Sequence, residues 1–340
     1  MSEQVPLRAL IRLTVPFVVV SFVFVAIYAF TQHAPEAHGL RIAFVGSPLA
    51  RIHSQMGTDG VSPGAFKLRA YPTAASARRA VLERKVYGAY VQGNGSSSRL
   101  LTASAAGTSA QQAIEHAFAE MVAHAPVGMG RVKLLSEDLK PLPANDSRGL
   151  SSSALQFGLL LPSFVFGILL FVFGHGAALV HRLIAIGLFV LAAALVAALT
   201  VGPLIGALSG HFLAIFAIGA LFAGAAALTT YGLESVLGFA GTGLAAFTFV
   251  LIGNATAGGG SNQEFLPNVF RQIGQALPNG ATVRFIRNTV YFGGNHTHVA
   301  LLVVALWALG GLTLVLVAEP LRAWLKRSRK ASELAERTPA

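Results

Sequence analysis

Apolar residues dominate the second half of the chain, and one apolar stretch stands apart from them near the N-terminus. No Asp, Glu, Lys or Arg occurs between Arg148 and Arg182, from Leu183 to Leu233, from Ser235 to Gln263, or from Asn288 to Ala318. A helix needs about 20 mostly apolar residues to cross a bilayer, so each window accommodates one or two crossings. A soluble core helix would need a polar face, and the pattern therefore predicts an α-helical integral membrane protein.

The apolar windows predict six transmembrane helices. Their expected bounds are residues 13–31, 155–173, 183–205, 212–231, 236–254 and 299–318. The first also fits a secretory signal peptide. However, its apolar run exceeds the about 7–15 residues of such a peptide, and no small-x-small cleavage site follows, so an uncleaved anchor is favoured.

Basic residues flank both ends of the membrane region. Arg8 and Arg12 precede the first span, and the last span is followed by Arg322, Lys326, Arg327, Arg329 and Lys330. Short basic flanks stay in the cytoplasm, so both termini are expected on the cytoplasmic side of a bacterial plasma membrane. Six crossings satisfy this condition because their number is even. The basic tail is also expected to touch membrane lipid.

The segment between the first two spans, residues 32–152, alternates strand and helix patterns. Apolar and polar positions predict strands at 40–45, 66–71, 86–91, 99–103 and 131–136. Helices are predicted from Thr73, as an N-cap, to about Arg84 and from Ser109 to His124. This alternation is typical of a small α/β domain, which the predicted topology places outside the cytoplasm.

The predicted organisation has four parts. They are a cytoplasmic N-terminus with transmembrane helix 1 (1–31), an extracytoplasmic α/β domain (32–152), a five-helix membrane domain (153–320) and a basic cytoplasmic tail (321–340).

Residues 264–294, between the fifth and sixth spans, hold two amphipathic stretches. Apolar residues recur at helical spacing from Phe265 to Leu277, and a second stretch runs from Ala281 to Phe292. Pro278-Asn-Gly280 is expected to break the helix between them. The pair fits a re-entrant hairpin buried in protein or an interfacial helix lying on lipid.

We predict that this amphipathic hairpin forms an outer gate over a path bounded by the second and fifth spans. Its arginines are placed to meet anionic headgroups or an anionic group of a substrate, with ordinary interfacial anchoring as the alternative. The predicted gate residues are Phe265, Pro267, Phe270, Arg271, Pro278, Gly280, Arg284, Arg287 and Tyr291.

Catalytic, metal and cofactor sites find little support in the sequence. The chain has no cysteine, which excludes disulfides and cysteine-ligated metals. Gly46-Ser-Pro and Gly93-x-Gly95 lack the strand–loop–helix context and the partner acid of a nucleotide site. His296-x-His298 is a tight histidine pair without an evident third ligand, so a wet loop is favoured over a metal centre. We therefore expect no enzyme, cofactor or metal.

The charges that are present indicate topology rather than ion coupling. The net charge of +11 (25 Lys+Arg, 14 Asp+Glu) lies largely outside the apolar windows and gives no hint of nucleic-acid binding. Glu234 is expected at the interface, in the turn between spans 4 and 5, so no mid-span carboxylate is left for proton or sodium coupling. Small residues at four-residue spacing predict close helix packing: Gly206/Gly210, Gly219/Ala223, Ala220/Gly224 and Gly241/Ala245.

The layout of the chain resembles the type-2 ABC exporter permease superfamily, and within it the phage-infection-protein-like branch. This layout consists of one span, an α/β insert and five further spans, with a proline-containing hairpin before the last. The residues that carry the resemblance are Phe265-Leu-Pro267, Arg271-Gln-Ile-Gly-Gln-Ala-Leu-Pro278, Ile286-Arg287 and Tyr291-Phe-Gly-Gly294. The resemblance implies a membrane subunit that exports a hydrophobic or amphipathic substrate. It also implies a homodimer or paired heterodimer, with ATP hydrolysis on a separate ABC ATPase subunit.

One departure from that family keeps a second function open. The cytoplasmic segments that would grip an ATPase are short, namely Met1–Arg12 and about Gly174–Arg182. The alternative is a non-transporting membrane scaffold, or a surface-binding protein of a secretion or envelope complex.

Overall fold

The computed structural model describes residues 18–19, 21–29, 37–46, 64–93, 97–123, 133–259 and 262–337, with the backbone alone beyond Pro320. Residues 18–19 and 21–29 are helical. The expected first span, residues 13–31, therefore lies only partly within the described residues.

A five-stranded sheet organises the globular domain. Its strands are β1 (Leu40–Val45), β2 (Phe66–Ala70), β3 (Gly88–Val91), β4 (Ser97–Thr102) and β5 (Lys133–Asp138). The spatial order is β2-β1-β3-β4-β5. β1 runs parallel to both β2 and β3, β4 is antiparallel to β3, and β5 is parallel to β4. All five strands lie within two or three residues of the predicted bounds.

Two helices, α1 (Ala74–Leu82) and α2 (Thr108–Ala123), contribute to the core of this domain. Thr73 caps α1 as predicted, because its hydroxyl accepts from the Ser76 backbone at 3.1 Å while the Ser76 hydroxyl accepts from the Thr73 backbone at 3.2 Å. Phe44 of β1 stacks on Tyr90 of β3, which stacks on Phe118 of α2. These buried rings join the sheet to α2.

Within the described residues, four helices are long and apolar enough to cross a membrane. They are α3 (Ser151–Phe173), α4 (Leu179–Leu199, continued to Leu204 by a π-helical turn), α5 (Phe212–Leu237) and the Thr297–Ala318 part of α9. These four correspond to expected spans. The fifth expected span is a shorter apolar helix, α6 (Phe239–Ala245), which continues as a π-helix over Ala246–Gly253.

The last helix, α9, runs without interruption from Thr297 to Arg337. The predicted border between span and tail at residue 320 is therefore not a helix end. α5 is the central helix of the membrane region, since it packs on α3, α4 and α9. Two shorter helices, α7 (Asn268–Ala276) and α8 (Pro278–Tyr291), lie between α6 and α9.

Several of the predicted small-residue pairs serve packing inside the chain. A methyl group on Gly219 of α5 would lie 3.2 Å from Leu159 of α3 and 3.6 Å from Ala194 of α4. Gly206 and Gly210 lie outside the helices, with φ of 74° and 83°. The expectation that this pair marks a helix face is therefore wrong.

Glu234 does not lie in the turn between the two helices, where the sequence pattern placed it. Glu234 belongs to α5 itself and is fully buried. The Thr242 hydroxyl of α6 donates a hydrogen bond to its carboxylate at 2.5 Å. The chain turns at Gly238 between the two helices, and this turn folds α6 back onto the end of α5.

Candidate functional site

The amphipathic hairpin bends at Leu277, one residue before the predicted break. Leu277 is extended, with φ of −90° and ψ of 146°, and Pro278 occupies the first position of α8. A residue before proline avoids the helical region, whereas proline itself fits a first helical turn. Pro278, Asn279 and Gly280 thus start the second helix instead of separating the two.

The two helices of the hairpin differ in burial. Within α7, all of which the structure describes, only Gly274 is buried. α8 buries nine residues and packs on α3, α5, α9 and the π-helical part of α6. Ala281 and Ile286 of α8 belong to the same apolar core as Leu159 of α3. A purely interfacial position on lipid is therefore wrong for α8, which is inserted among the apolar helices.

The turn of the hairpin lies deep in the helical region. The indole nitrogen of Trp307 donates to the backbone carbonyl of Ala276 at 2.9 Å. Trp307 is ten residues into α9, which corresponds to about 15 Å along that helix. Non-helical backbone at such depth is tolerated only where protein surrounds it, and Leu277 is 7% exposed.

Close backbone approach holds the turn together. A methyl group on Gly280 would lie 2.3 Å from the Gly274 carbonyl oxygen and 2.5 Å from the Gln263 side-chain nitrogen. A methyl group on Gly274 would lie 2.3 Å from the Thr256 carbonyl oxygen. The two glycines therefore let α7, α8 and the end of α6 meet without intervening side chains.

Both ends of the hairpin are anchored in the globular domain. Phe265 and Phe292, which flank α7 and α8, are buried in the core of that domain. The Tyr87 hydroxyl, after α1, donates to the Glu264 carboxylate at 2.5 Å, and the His38 backbone N–H donates to the Glu264 carbonyl at 2.8 Å. Burial is the main reason that the pKa of Tyr87 lies well above its ordinary value, followed by the charge of Glu264.

Arg84 also anchors the hairpin, and it contacts two residues at the end of α8. Its guanidinium donates to the side-chain oxygen of Asn288 on α8 and lies 5.5 Å from the centre of the Phe292 ring. Arg84 itself has a positive φ of 57°, which is uncommon for a residue other than glycine. The strained backbone directs a charged side chain from the globular domain to α8.

Arg287 of α8 is buried with its charge. It is 7% exposed and donates to the carbonyl oxygens of Gly149 at 3.0 Å and Gly259 at 3.2 Å. Among the described residues no carboxylate forms an ion pair with it. Burial, together with the charge of Arg84, lowers the pKa of Arg287 to about 10. The guanidinium therefore stays charged at neutral pH and holds the segments before α3 and after α6 together.

Tyr291 and Asp146 complete this junction. The Tyr291 hydroxyl donates to one carboxylate oxygen of Asp146 at 3.4 Å, while the other oxygen accepts from the Leu150 and Ser151 backbones at 2.9 and 3.0 Å. Asp146 thus supports the start of α3. Burial raises the pKa of Tyr291 above its ordinary value. A cavity of about 10 Å³, lined in part by Arg287 and Tyr291, has room for one water-sized molecule.

The remaining predicted gate residues are partly exposed. Arg271 donates to the His38 carbonyl at 2.9 Å and to Asn268 at 2.7 Å. Arg284 donates to Gln263 and to the Gln275 carbonyl, both at 3.0 Å. All three predicted arginines therefore have acceptors within the protein. A position against lipid headgroups is wrong for Arg287, which is buried.

The structure buries polar residues that the sequence analysis did not single out. On α3 and α8, four side chains that are at most 1% exposed have a polar atom without a protein partner among the described residues: Ser152, Gln156, Asn279 and Thr282. The first two lie on α3 and the others on α8, which packs on α3. Such an unsatisfied group costs about 1–3 kcal/mol. In the sequence, only Gln156 could have indicated these buried polar groups, because it is an amide within an otherwise apolar span.

His296 and His298 are exposed at the start of α9. The described part of the chain contains no cluster of three or more histidine, aspartate or glutamate side chains suited to a metal. A scan of protein-family models gives no match, and searches of the curated proteins and the solved structures find no significant similarity.

Proposed function

We propose that the chain is the permease subunit of an exporter similar to the type-2 ABC family, in the phage-infection-protein-like branch. It moves a hydrophobic or amphipathic substrate across a bacterial plasma membrane, and a separate ABC ATPase drives it. The observation that carries the proposal is the amphipathic hairpin. Its turn is inserted among the apolar helices, while Phe265 and Phe292 at its ends belong to the globular core.

This arrangement supports a gating role for the hairpin. Movement of the globular domain is transmitted to α8 through Arg84, which bonds to Asn288, and to the start of the hairpin through Glu264, which bonds to Tyr87. α8 in turn packs on α3 and on the π-helical part of α6, the two elements expected to bound the path. π-helical segments often occur at functional sites.

An apolar groove supports the choice of substrate class. It is an open groove of about 650 Å³ between α5 and α9, and its lining runs from Leu306 to Val317 with Thr229 opposite. One of its lining residues, Trp307, bonds to the hairpin turn. A substrate with an apolar portion fits this groove.

The proposed topology has six crossings, both termini in the cytoplasm and the globular domain outside. Two observations support the first and fifth crossings. Residues 21–29 are helical, and the Asn254 amide, just after the π-helix, donates to the Tyr28 hydroxyl at 2.7 Å. Single-cysteine labelling tests the topology, since the native chain has no cysteine. Labelling of a Ser328→Cys variant by an impermeant reagent from outside intact cells contradicts it.

A second function, a membrane scaffold that does not transport, is favoured by one observation. The connection between α3 and α4 is short, with only Gly174–Ala178 between the two helices. This leaves a small surface for an ATPase. Purification of the tagged protein in mild detergent, followed by mass spectrometry, decides between the two functions. An ABC ATPase at near-equal amount supports the permease; its absence, with other envelope proteins present, supports the scaffold.

A dimer, either of two copies or of two related chains, belongs to the same proposal. Its support is the family resemblance alone. The small residues at four-residue spacing do not add to it, since Gly219 already packs against α3 and α4 of the same chain. The mass of the particle in nanodiscs tests it, and a mass of one copy contradicts it.

A further inference from the structure

The C-terminal end of α7 lies near the middle of the membrane region, where two side chains bond to it. The Arg284 guanidinium of α8 donates to the Gln275 carbonyl at 3.0 Å, and the Trp307 indole of α9 donates to the next carbonyl, that of Ala276, at 2.9 Å. Trp307 is at the centre of the apolar segment Thr297–Ala318, about 15 Å from either end. The charge of Arg284 is therefore held close to the middle of the bilayer.

Arg284 keeps hydrogen-bonding capacity for another molecule. Its other hydrogen bond among the described residues is to the Gln263 side-chain oxygen at 3.0 Å, whereas a guanidinium has five N–H donors. No carboxylate in the described part of the chain forms an ion pair with it, and the side chain is partly exposed. Charged residues within a membrane region usually mark the path of a substrate or an ion.

α7 carries a polar face that leads to Arg284. Asn268, Gln272 and Gln275 are exposed and lie on one side of α7, because they are four and three positions apart. Lipid tails offer an amide no hydrogen bond, so this face is expected to border water. α7 begins beside Phe265, which is buried in the globular core, and the polar face gives a head group a route from there to the turn.

The apolar groove between α5 and α9 begins at the same place. Trp307 lines it, and Gly310 leaves a recess in it, since a methyl group added there would meet nothing within 4 Å. The groove follows α9 from Leu306 to Val317, about 16 Å, away from the hairpin turn. These two end residues are 58% and 59% exposed. The groove is thus open along its side, and an apolar chain can enter it from the bilayer.

An apolar chain fits this groove better than a second helix does. Helices approach closely in membranes where small residues repeat at four-residue spacing. On α9, however, Leu306 and Leu314 stand four positions before and after Gly310, and both line the groove. A flexible chain can follow the recess between two bulky side chains, whereas a helix would be held away by them.

We propose that Arg284 and the groove between α5 and α9 form one binding site for an anionic amphiphile. Arg284 binds the anionic head, the groove takes the apolar chain, and Trp307 lies at the border between the two. The inference rests on the proposed export function and names its substrate class, of which a long-chain carboxylate or an alkyl phosphate is an example.

Quenching of Trp307 fluorescence by brominated probes tests this site. Trp324 is the other tryptophan, so Trp324→Phe leaves Trp307 as the sole reporter in the full chain, which is placed in nanodiscs of a zwitterionic lipid. Three probes share one brominated alkyl chain and differ in the head: a carboxylate, an alcohol and a quaternary ammonium. At equal probe content of the bilayer, we expect the carboxylate to half-quench at a concentration at least about tenfold lower than the other two. Equal quenching by all three overturns the anionic head.

A matched pair of variants tests the head contact. Arg284→Gln removes the charge at the turn, whereas Arg271→Gln is the same change near the start of α7, at a residue that donates to the His38 carbonyl. We expect Arg284→Gln to raise the half-quenching concentration of the carboxylate at least about tenfold, and Arg271→Gln to change it less than about threefold. Arg284→Lys keeps the charge and should retain most of the affinity. Unchanged affinity in Arg284→Gln overturns the proposal.

A second pair tests the position of the chain. Gly310→Leu fills the recess, and Gly187→Leu is the same change in α4, where an added methyl group likewise meets nothing within 4 Å. We expect Gly310→Leu to abolish the saturable part of the quenching and Gly187→Leu to preserve it. Saturable quenching that survives Gly310→Leu shows that the chain lies elsewhere and overturns the proposal.

The remaining controls separate the site from ordinary lipid binding and from the export function. Displacement of the carboxylate probe by phosphatidylglycerol, added to the nanodisc as a bilayer lipid, overturns the assignment to an exported substrate. The selectivity among the probes is measured without changing Arg284, so it decides the head even if Arg284→Gln does not fold. Binding needs no ATPase: selective binding by a protein that purifies without one keeps the site and sinks the exporter. Unselective quenching in a protein with an ATPase sinks the site alone.

Discussion

Arg84 of the globular domain donates a hydrogen bond to Asn288 of α8, which lies 204 positions later in the chain. The contact joins the loop after α1 to a helix inserted in the membrane region. Since Arg84 also lies against the Phe292 ring, a single side chain contacts both α8 and the residue that ends it. The globular domain and the hairpin are therefore expected to unfold and to move together.

Replacement of Arg84 tests this connection. We expect Arg84→Ala to lower the free energy of unfolding by about 2 kcal/mol, because a partly buried charged hydrogen bond is lost and Asn288 loses its donor. The matched control is Arg78→Ala, which removes an exposed ion pair with Glu137 and should change stability by less than about 1 kcal/mol. Denaturant unfolding in detergent measures both variants. Equal effects contradict a special role for Arg84.

Gly280→Ala is expected to damage the hairpin turn. The added methyl group meets the Gly274 carbonyl oxygen at 2.3 Å, so backbone has to shift, at a cost of about 1–3 kcal/mol. Gly187→Ala in α4 is the control, since nothing lies within 4 Å of its added methyl group. Thermal unfolding followed by tryptophan fluorescence should show a lower midpoint for Gly280→Ala and an unchanged or higher one for Gly187→Ala.

Pro278→Ala is the cleaner test of gating. Proline at a first helical position lacks only an N–H that has no helical partner, so its replacement should leave the fold intact. Without the proline, however, Leu277 is no longer kept out of the helical region, and the bend between α7 and α8 is less strictly fixed. If the hairpin gates a path through this bend, the variant should insert normally and lose export. A variant with normal insertion and unchanged export removes the gate. Combining it with Gly280→Ala would mix this result with the steric damage described above.

The buried phenol of Tyr87 predicts a pH dependence. Its pKa in the folded protein lies above the ordinary value near 10, so its contribution to stability is present below pH 10 and is lost as pH rises beyond it. Tyr87→Phe should therefore lose less stability than the parent between about pH 10 and pH 11. Unfolding midpoints across that range provide the measurement. Parallel pH curves for the two proteins contradict the raised pKa.

Glu234 and Thr242 predict a difference between two substitutions. Glu234→Gln keeps an oxygen that accepts from the Thr242 hydroxyl and should retain most of the stability. Glu234→Ala removes the acceptor and leaves a cavity beside a buried hydroxyl, so a loss of about 2 kcal/mol or more is expected. Chemical unfolding of the two variants in one detergent compares them. If both lose the same stability, the hydrogen bond is not the cause.

Local patterns account for what the sequence predicted well. Thr73 is followed by Ser76 and an apolar stripe, and these nearby residues alone determine where α1 begins. The apolar windows likewise place α3, α5 and the start of α9, because length and hydropathy are local properties. The bend at Leu277 was missed by one residue, since proline can either end a helix or start one and only the neighbouring backbone decides.

Contacts between distant segments account for what the sequence did not predict. A charged residue such as Arg287 or Glu234 is expected at a surface when only its sequence is known. In the structure both are buried: Arg287 donates to the Gly149 carbonyl, and Glu234 accepts from the Thr242 hydroxyl. The unsatisfied groups of Ser152 and Asn279 depend on which helix faces which, and periodicity in one segment carries no such information. The amphipathic pattern was enough to select the gate residues, but it could not show which residues they bond to.

The unbroken course of α9 connects the contact with the hairpin turn to a segment well beyond the apolar part of the helix. Its 41 residues correspond to a rod of about 60 Å, twice the thickness of a bilayer core. Near one end, Trp307 bonds to the hairpin turn; the other end extends 17 residues past Pro320. Pro320 lies between that far end and Trp307, and because an internal proline removes one helical hydrogen bond, it is the position at which α9 would bend before a force on the far end could reach the turn.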